Sequence, residues 1–217
     1  MPQPSFDTWT VIFLFFAFQG LLTGIAFLFI KRGQQQAFRF IGVLLILFGL
    51  CLIDYELFWT HYSFQVPALA EFSFPFYFLF GPLLYWYFRF CLQKTSFTRT
   101  DWLHLIPWLL NTGWWISLSS KPESELIAMM SGRYRFETYQ IFVLTALPWI
   151  RIASMTAYAI IIGLMLRHTT MLKTIRVWSF GMLIWFGGFI LAFGSYYILV
   201  RFPFFNAEWD YMISLFM

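Results

Sequence analysis

Charge is scarce in this sequence. The 14 Lys and Arg and 10 Asp and Glu make up 11% of its 217 residues, against roughly 25% in an ordinary soluble domain. That is too little to cover a globular surface in water, and it excludes a disordered, collagen-like or nucleic-acid-coated chain. Cysteine is scarcer still: Cys51 and Cys91 both stand in apolar runs, so neither a disulfide framework nor a Cys-based metal site is expected. Both are expected as lipid-buried or core thiols. Period-two alternation is largely missing, and the apolar runs are far longer than a barrel strand, which excludes an outer-membrane barrel. Catalytic patterns are missing too, with no His-Glu-x-x-His, Gly-x-Ser-x-Gly, P-loop or dinucleotide fingerprint. The histidines His61, His104 and His168 lie in three different connections without metal-ligand spacing, and membrane-end residues of this kind read as interfacial. The expectation is no enzyme, no metal and no cofactor.

What the chain has in excess is apolar mass, 60% hydrophobic with 24% aromatic side chains. A membrane helix needs about 20 mainly apolar residues. Six runs meet that length, Trp9–Ile30, Phe40–Thr60, Leu69–Cys91, Leu103–Ser119, Phe142–Leu166 and Val177–Val200, and Tyr211–Met217 begins a seventh. The first is retained rather than cleaved, because Asp7 precedes it without any Lys or Arg and no small-residue cleavage site follows. The predicted fold is an all-α, polytopic integral membrane bundle of six full transmembrane helices plus the start of a seventh, with almost no β-structure. One transmembrane sensor or anchor domain covers 1–217, and the ending inside an apolar segment predicts a truncated product.

Basic residues alternate between the connections. Lys31, Arg32, Arg39, Arg89, Lys94, Arg99, Arg167, Lys173 and Arg176 fall on one side; Lys121, Arg133, Arg135 and Arg201 fall on the other. Nine against four places the N-terminus outside and the first group of connections in the cytoplasm. The only long polar connection, Ser119–Tyr139, has mixed charge and room for a short interfacial helix.

Ionisable residues inside spans are the candidate site, because their burial in lipid is costly and they face a bundle interior or a wet cavity. Asp54 and Arg151 are expected at matched depth in the outer half, with Glu56 and Glu71 nearer the outer surface. These four could line a ligand pocket, or form an inter-helix ion pair, or snorkel to the headgroups. Asp54 and Glu56, two apart, point to different helix faces. Gln19 and Asn111 are expected as inter-helix hydrogen-bonding glue. Gly20 and Gly24, and Gly181, Gly187, Gly188 and Gly194, mark thin helix faces that favour packing inside the bundle over a homodimer. Trp59, Trp86, Trp102, Trp108, Trp149, Trp178 and Trp209 read as an interfacial belt, and an aromatic cage around Trp114, Trp115 and Trp149 lacks a visible cation.

Several segments carry a resemblance: Phe18-Gln19-Gly20-Leu21-Leu22 with the exit Lys31-Arg32; the polar Gln34–Ala37 connection leading to a span with Asp54; Phe80-Gly81-Pro82-Leu83-Leu84-Tyr85-Trp86-Tyr87; and Leu103-His104-Leu105-Ile106-Pro107-Trp108-Leu109. In layout this resembles the N-terminal seven-span region of bacterial membrane-anchored AraC-type transcriptional regulators. The resemblance implies signal transduction, an unknown extracytoplasmic or lipid-borne ligand, and contact with DNA only through a helix-turn-helix domain that this chain lacks. Pro82 is expected to kink the third span, and His104 to stand at the cytoplasmic start of the fourth with Pro107 in its first turn. A transporter, a sensor-kinase membrane region or another receptor is the rival reading. Transporters place polar groups at the midplane in paired repeats, and no repeat is found here.

Overall fold

A computed structural model describes residues 6–31, 34–93, 97–170 and 172–203. Among them the chain is helical and contains no strand. The helices are α1 (Thr8–Phe29), α2 (Gln35–Trp59), α3 (Tyr77–Gln93), α4 (Ile106–Ser119), α5 (Glu123–Met130), α6 (Thr138–His168) and α7 (Lys173–Leu199). Four 3₁₀ segments, Tyr62–Phe64, Pro67–Leu69, Phe74–Phe76 and Arg99–Leu105, join them.

Helix starts follow local chemistry. Asp7 caps α1 by accepting the Thr10 N–H at 2.8 Å, and Glu137 and Gln140 form a reciprocal capping box on α6. Pro107 occupies the first turn of α4, where its missing N–H costs nothing. Pro82 does lie inside α3, where it removes one intrahelical bond.

By length and composition five helical stretches can cross a membrane: Thr8–Phe29, Gln35–Trp59, Pro67–Gln93, Thr138–His168 and Lys173–Leu199. The third differs from the continuous helix expected from Leu69, because regular α-helix begins only at Tyr77. Pro67 and Pro75 each open a separate 3₁₀ turn, and Glu71 between them takes a left-handed backbone with φ of 59°. The fourth expected run also differs. Its 3₁₀ start leaves α4 with 14 residues, about 21 Å of α-helix against a hydrocarbon thickness of about 30 Å. The polar connection does form a short helix, α5. The seventh segment, Tyr211–Met217, lies outside the described residues, as does Trp209.

The core lies among α2, α3, α6 and α7, where Phe80, Phe88, Phe186, Phe189, Leu84 and Met155 are fully buried. Phe48, Phe80 and Phe189 meet ring to ring at 4.5–5.8 Å, an arrangement worth about 0.5–1.5 kcal/mol per pair beyond burial. Trp86 belongs to this core at 3% exposure rather than to an interfacial belt, because it is enclosed by Phe40, Phe97 and His104. Trp102 and Trp178 are exposed, as a belt requires.

Helix α1 packs on α2 through backbone rather than through large side chains. A Cβ on Gly24 would come within 2.6 Å of the Gly42 carbonyl oxygen, and one on Gly49 within 2.7 Å of the Ala17 carbonyl oxygen. The Gly20/Gly24 face is therefore a packing face within the bundle. The α7 glycines behave differently: Gly181 and Gly187 border open space, and Gly194 comes no closer than 3.8 Å to Ile152. The face that α7 buries is instead that of Ser179, Phe186, Phe189, Ile190 and Phe193. Gln19 is exposed on the outward side of α1, so it makes no glue within the bundle.

Candidate functional site

Two polar clusters interrupt the apolar bundle. The first gathers around Arg151, which stands near the middle of α6 and is 3% exposed. It falls 13 residues after Thr138, within the first half of α6. Its Nη2 donates to Asn111 Oδ1 of α4 at 3.1 Å. The guanidinium lies over Phe74 at 4.9 Å, with Tyr77 at 5.7 Å and Phe78 at 6.0 Å, and each such contact contributes about 0.5–2 kcal/mol. Its Nε is buried with no hydrogen-bond partner. The aromatic cage thus forms around Arg151 from α3 and the turn before it. The tryptophans weighed as an alternative cage make other contacts: Trp149 carries Arg201 at 5.5 Å, Trp115 donates to the Ala70 carbonyl at 3.1 Å, and Trp114 packs on Tyr139.

Asp54, 6% exposed on α2, accepts the Ser73 N–H at 3.0 Å. Burial of a carboxylate demands such a donor, and the left-handed Glu71 turns the chain so that Ser73 can supply it. Asp54 and Arg151 are electrostatic neighbours of Glu71, but neither makes an ion pair. Among the described residues ion pairs join only Arg89 to Asp101 and Lys121 to Glu125. Glu71 itself is exposed. Three of the four named residues, Asp54, Glu71 and Arg151, therefore share one neighbourhood. Glu56 does not join them: it is buried beside Thr10 of α1 and leaves Oε2 without a partner, as its two-residue offset from Asp54 requires.

The second cluster lies around the 3₁₀ segment that leads into α4. His104 Nδ1 bonds the Tyr158 hydroxyl of α6, and the His104 ring packs against Tyr85 and Trp86 of α3. Tyr158 fits there because residue 81 is glycine; a Cβ would fall 2.5 Å from its ring. Nearby, Arg89 bonds Asp101, whose carboxylate also takes the Thr98 N–H and hydroxyl. Burial pushes the Asp101 pKa up, but Thr98 and Arg89 outweigh it and hold the group below the ordinary carboxylate value. Gln34 Nε2 ties the start of α2 to the Cys91 carbonyl at 2.8 Å.

The two clusters share a register. Asn111 follows His104 by the same step that separates Tyr158 from Arg151, roughly two helical turns. The chain from His104 into α4 thus runs antiparallel to α6 and is bridged to it at two levels by polar side chains. Two of the segments singled out in the sequence, those around Gly81-Pro82 and His104, meet at the second level. Sequence spacing carried no signal for Ser73, Phe74, Tyr77 or Tyr158, whose roles come from a turn and from neighbouring helices.

Among the described residues no three His, Cys, Asp or Glu side chains gather closely enough to hold a metal ion. The arrangement offers a buried cation with an unused donor, two carboxylates and an aromatic wall. No family model, no curated protein and no solved structure matches the chain.

Proposed function

We propose that the chain is the membrane-embedded sensor domain of a bacterial transcriptional regulator, lying in the cytoplasmic membrane with its N-terminus outside. Six helices cross, and a seventh leads to a cytoplasmic helix-turn-helix domain. The fourth crossing is supplied by the end of the 3₁₀ segment, Leu103–Leu105, together with α4, a combined rise of roughly 27 Å that leaves Arg99 and Asp101 at its cytoplasmic edge. The antiparallel register of α4 and α6 supports this, since a fourth crossing reverses the direction of the fifth.

The observation that carries the reading is the two-level polar link to α6, Asn111 of α4 with Arg151 and His104 of the preceding 3₁₀ segment with Tyr158. Asn111 is the only buried residue of α4, so that helix is held by few contacts and can shift as a unit. A ligand engaging Arg151, Asp54 or Glu71 from the outer side, or arriving through lipid, competes for the Arg151–Asn111 bond. Binding one placement of α4 better than the other then moves the His104 level, on the side of the basic connections. A differential affinity of about 1–3 kcal/mol is enough for ordinary signalling.

The coding sequence beyond Met217 tests the proposal. An in-frame helix-turn-helix is expected. A phosphoacceptor-histidine domain, or further pairs of spans, overturns it.

A further inference from the structure

At the beginning of α7 an open groove of about 430 Å³ is lined by Lys173, Thr174, Val177 and Trp178. Two of its walls are large apolar side chains turned outward, Val177 at 67% and Trp178 at 65% exposure. The same connection carries Arg167, His168 and Arg176, and the sequence contains no Asp or Glu between Glu137 and Glu208. The one buried carboxylate at this end of the bundle, Asp101, is already engaged by Arg89 and Thr98. Lys173 therefore faces the groove without an acidic partner among the described residues.

From this charge complementarity we infer that the groove binds an anionic phospholipid. The acyl chain lies along Val177 and the Trp178 ring, and the headgroup phosphate meets the Lys173 ammonium and the Thr174 hydroxyl. An ammonium on a basic rim discriminates by net charge, so a zwitterionic lipid with the same chains gains less. Trp178 suits the boundary between headgroup and acyl chain: its indole N–H bonds the Tyr87 hydroxyl, and its outward-turned ring is free to lie in hydrocarbon. The inference requires only that α7 crosses the bilayer, so it stands apart from the sensor reading.

The test uses the full chain in nanodiscs of phosphatidylcholine. Phosphatidylglycerol or phosphatidylcholine brominated near the carbonyl end of its chain is added, and the Trp178 fluorescence is taken as wild type minus Trp178→Phe. Stronger quenching by brominated phosphatidylglycerol is expected, several-fold at equal mole fraction. Lys173→Gln should abolish the preference and Lys173→Arg should keep it, with circular dichroism unchanged in both. Equal quenching by the two lipids overturns the inference, as does a preference that survives Lys173→Gln. Displacement by millimolar inorganic phosphate overturns it in favour of a free-anion site. Quenching that falls as more chains are loaded per disc overturns it in favour of a second copy covering the groove.

Discussion

At the residue scale, the decisive interaction is the Arg151–Asn111 bond inside the bundle. Removing one partner of a buried charged bond leaves the other uncompensated, so single changes cost more than their share. Asn111→Leu and Arg151→Met, made singly and together, should therefore show a coupling of about 1–3 kcal/mol in reversible unfolding of the detergent-solubilised protein. Additive effects would remove the bond from the account. A second residue-scale prediction concerns acid. The Asp101 pKa is lower folded than unfolded, so its stabilisation is complete above the unfolded value of about 3.9 and disappears as pH falls through the lower folded value. Hydrogen-exchange protection over 97–105, relative to the intrinsic rate at each pH, should fall below about pH 4 in the wild type, and Asp101→Asn should show low protection that does not change across that range. Single residues were partly legible in the sequence. Asp54, Arg151 and Asn111 announced themselves as polar groups in apolar runs. Their actual partners did not, because Ser73 depends on the Glu71 turn and the Phe74 and Tyr77 rings depend on how α3 meets α6.

At the element scale, hydrophobic length located α1, α2, α6 and α7 closely, since a long apolar run admits one structure in a bilayer. It overstated the third and fourth runs. Apolar residues fill Leu69–Phe76 as densely as a helix, yet Pro67, Pro75 and the left-handed Glu71 break it into turns. Hydropathy is blind to that difference. Small residues were ambiguous in the same way: Gly24 meets the backbone of α2 while Gly187 meets nothing within 4 Å. This contrast makes a prediction. Gly24→Leu forces atoms into a carbonyl 2.6 Å away and cannot be relieved by a rotamer change. It should cost about 1–3 kcal/mol. Gly187→Leu should change stability by less than about 0.5 kcal/mol. Equal costs at both positions, measured by thermal inactivation in one detergent, would contradict the α1–α2 packing.

At the scale of the whole molecule, the bundle is polarised. An aromatic and aliphatic core joins α2, α3, α6 and α7, with the Asp54, Glu71 and Arg151 neighbourhood toward one end and the basic connections at the other. That polarity was legible from charge alone, through the nine-to-four split of basic residues. The link between the ends was not, because the Asn111–Arg151 and His104–Tyr158 bridges depend on how the folded chain brings these side chains within reach. The account stands on those ends facing opposite sides of the membrane. Its most direct test is labelling of intact cells with a membrane-impermeant maleimide, in a Cys51→Ala, Cys91→Ala background carrying either Ser124→Cys or Thr170→Cys. The Ser124→Cys protein should be labelled from outside, and the Thr170→Cys protein only after the cells are opened. The reverse pattern, or labelling of both from outside, would contradict the account.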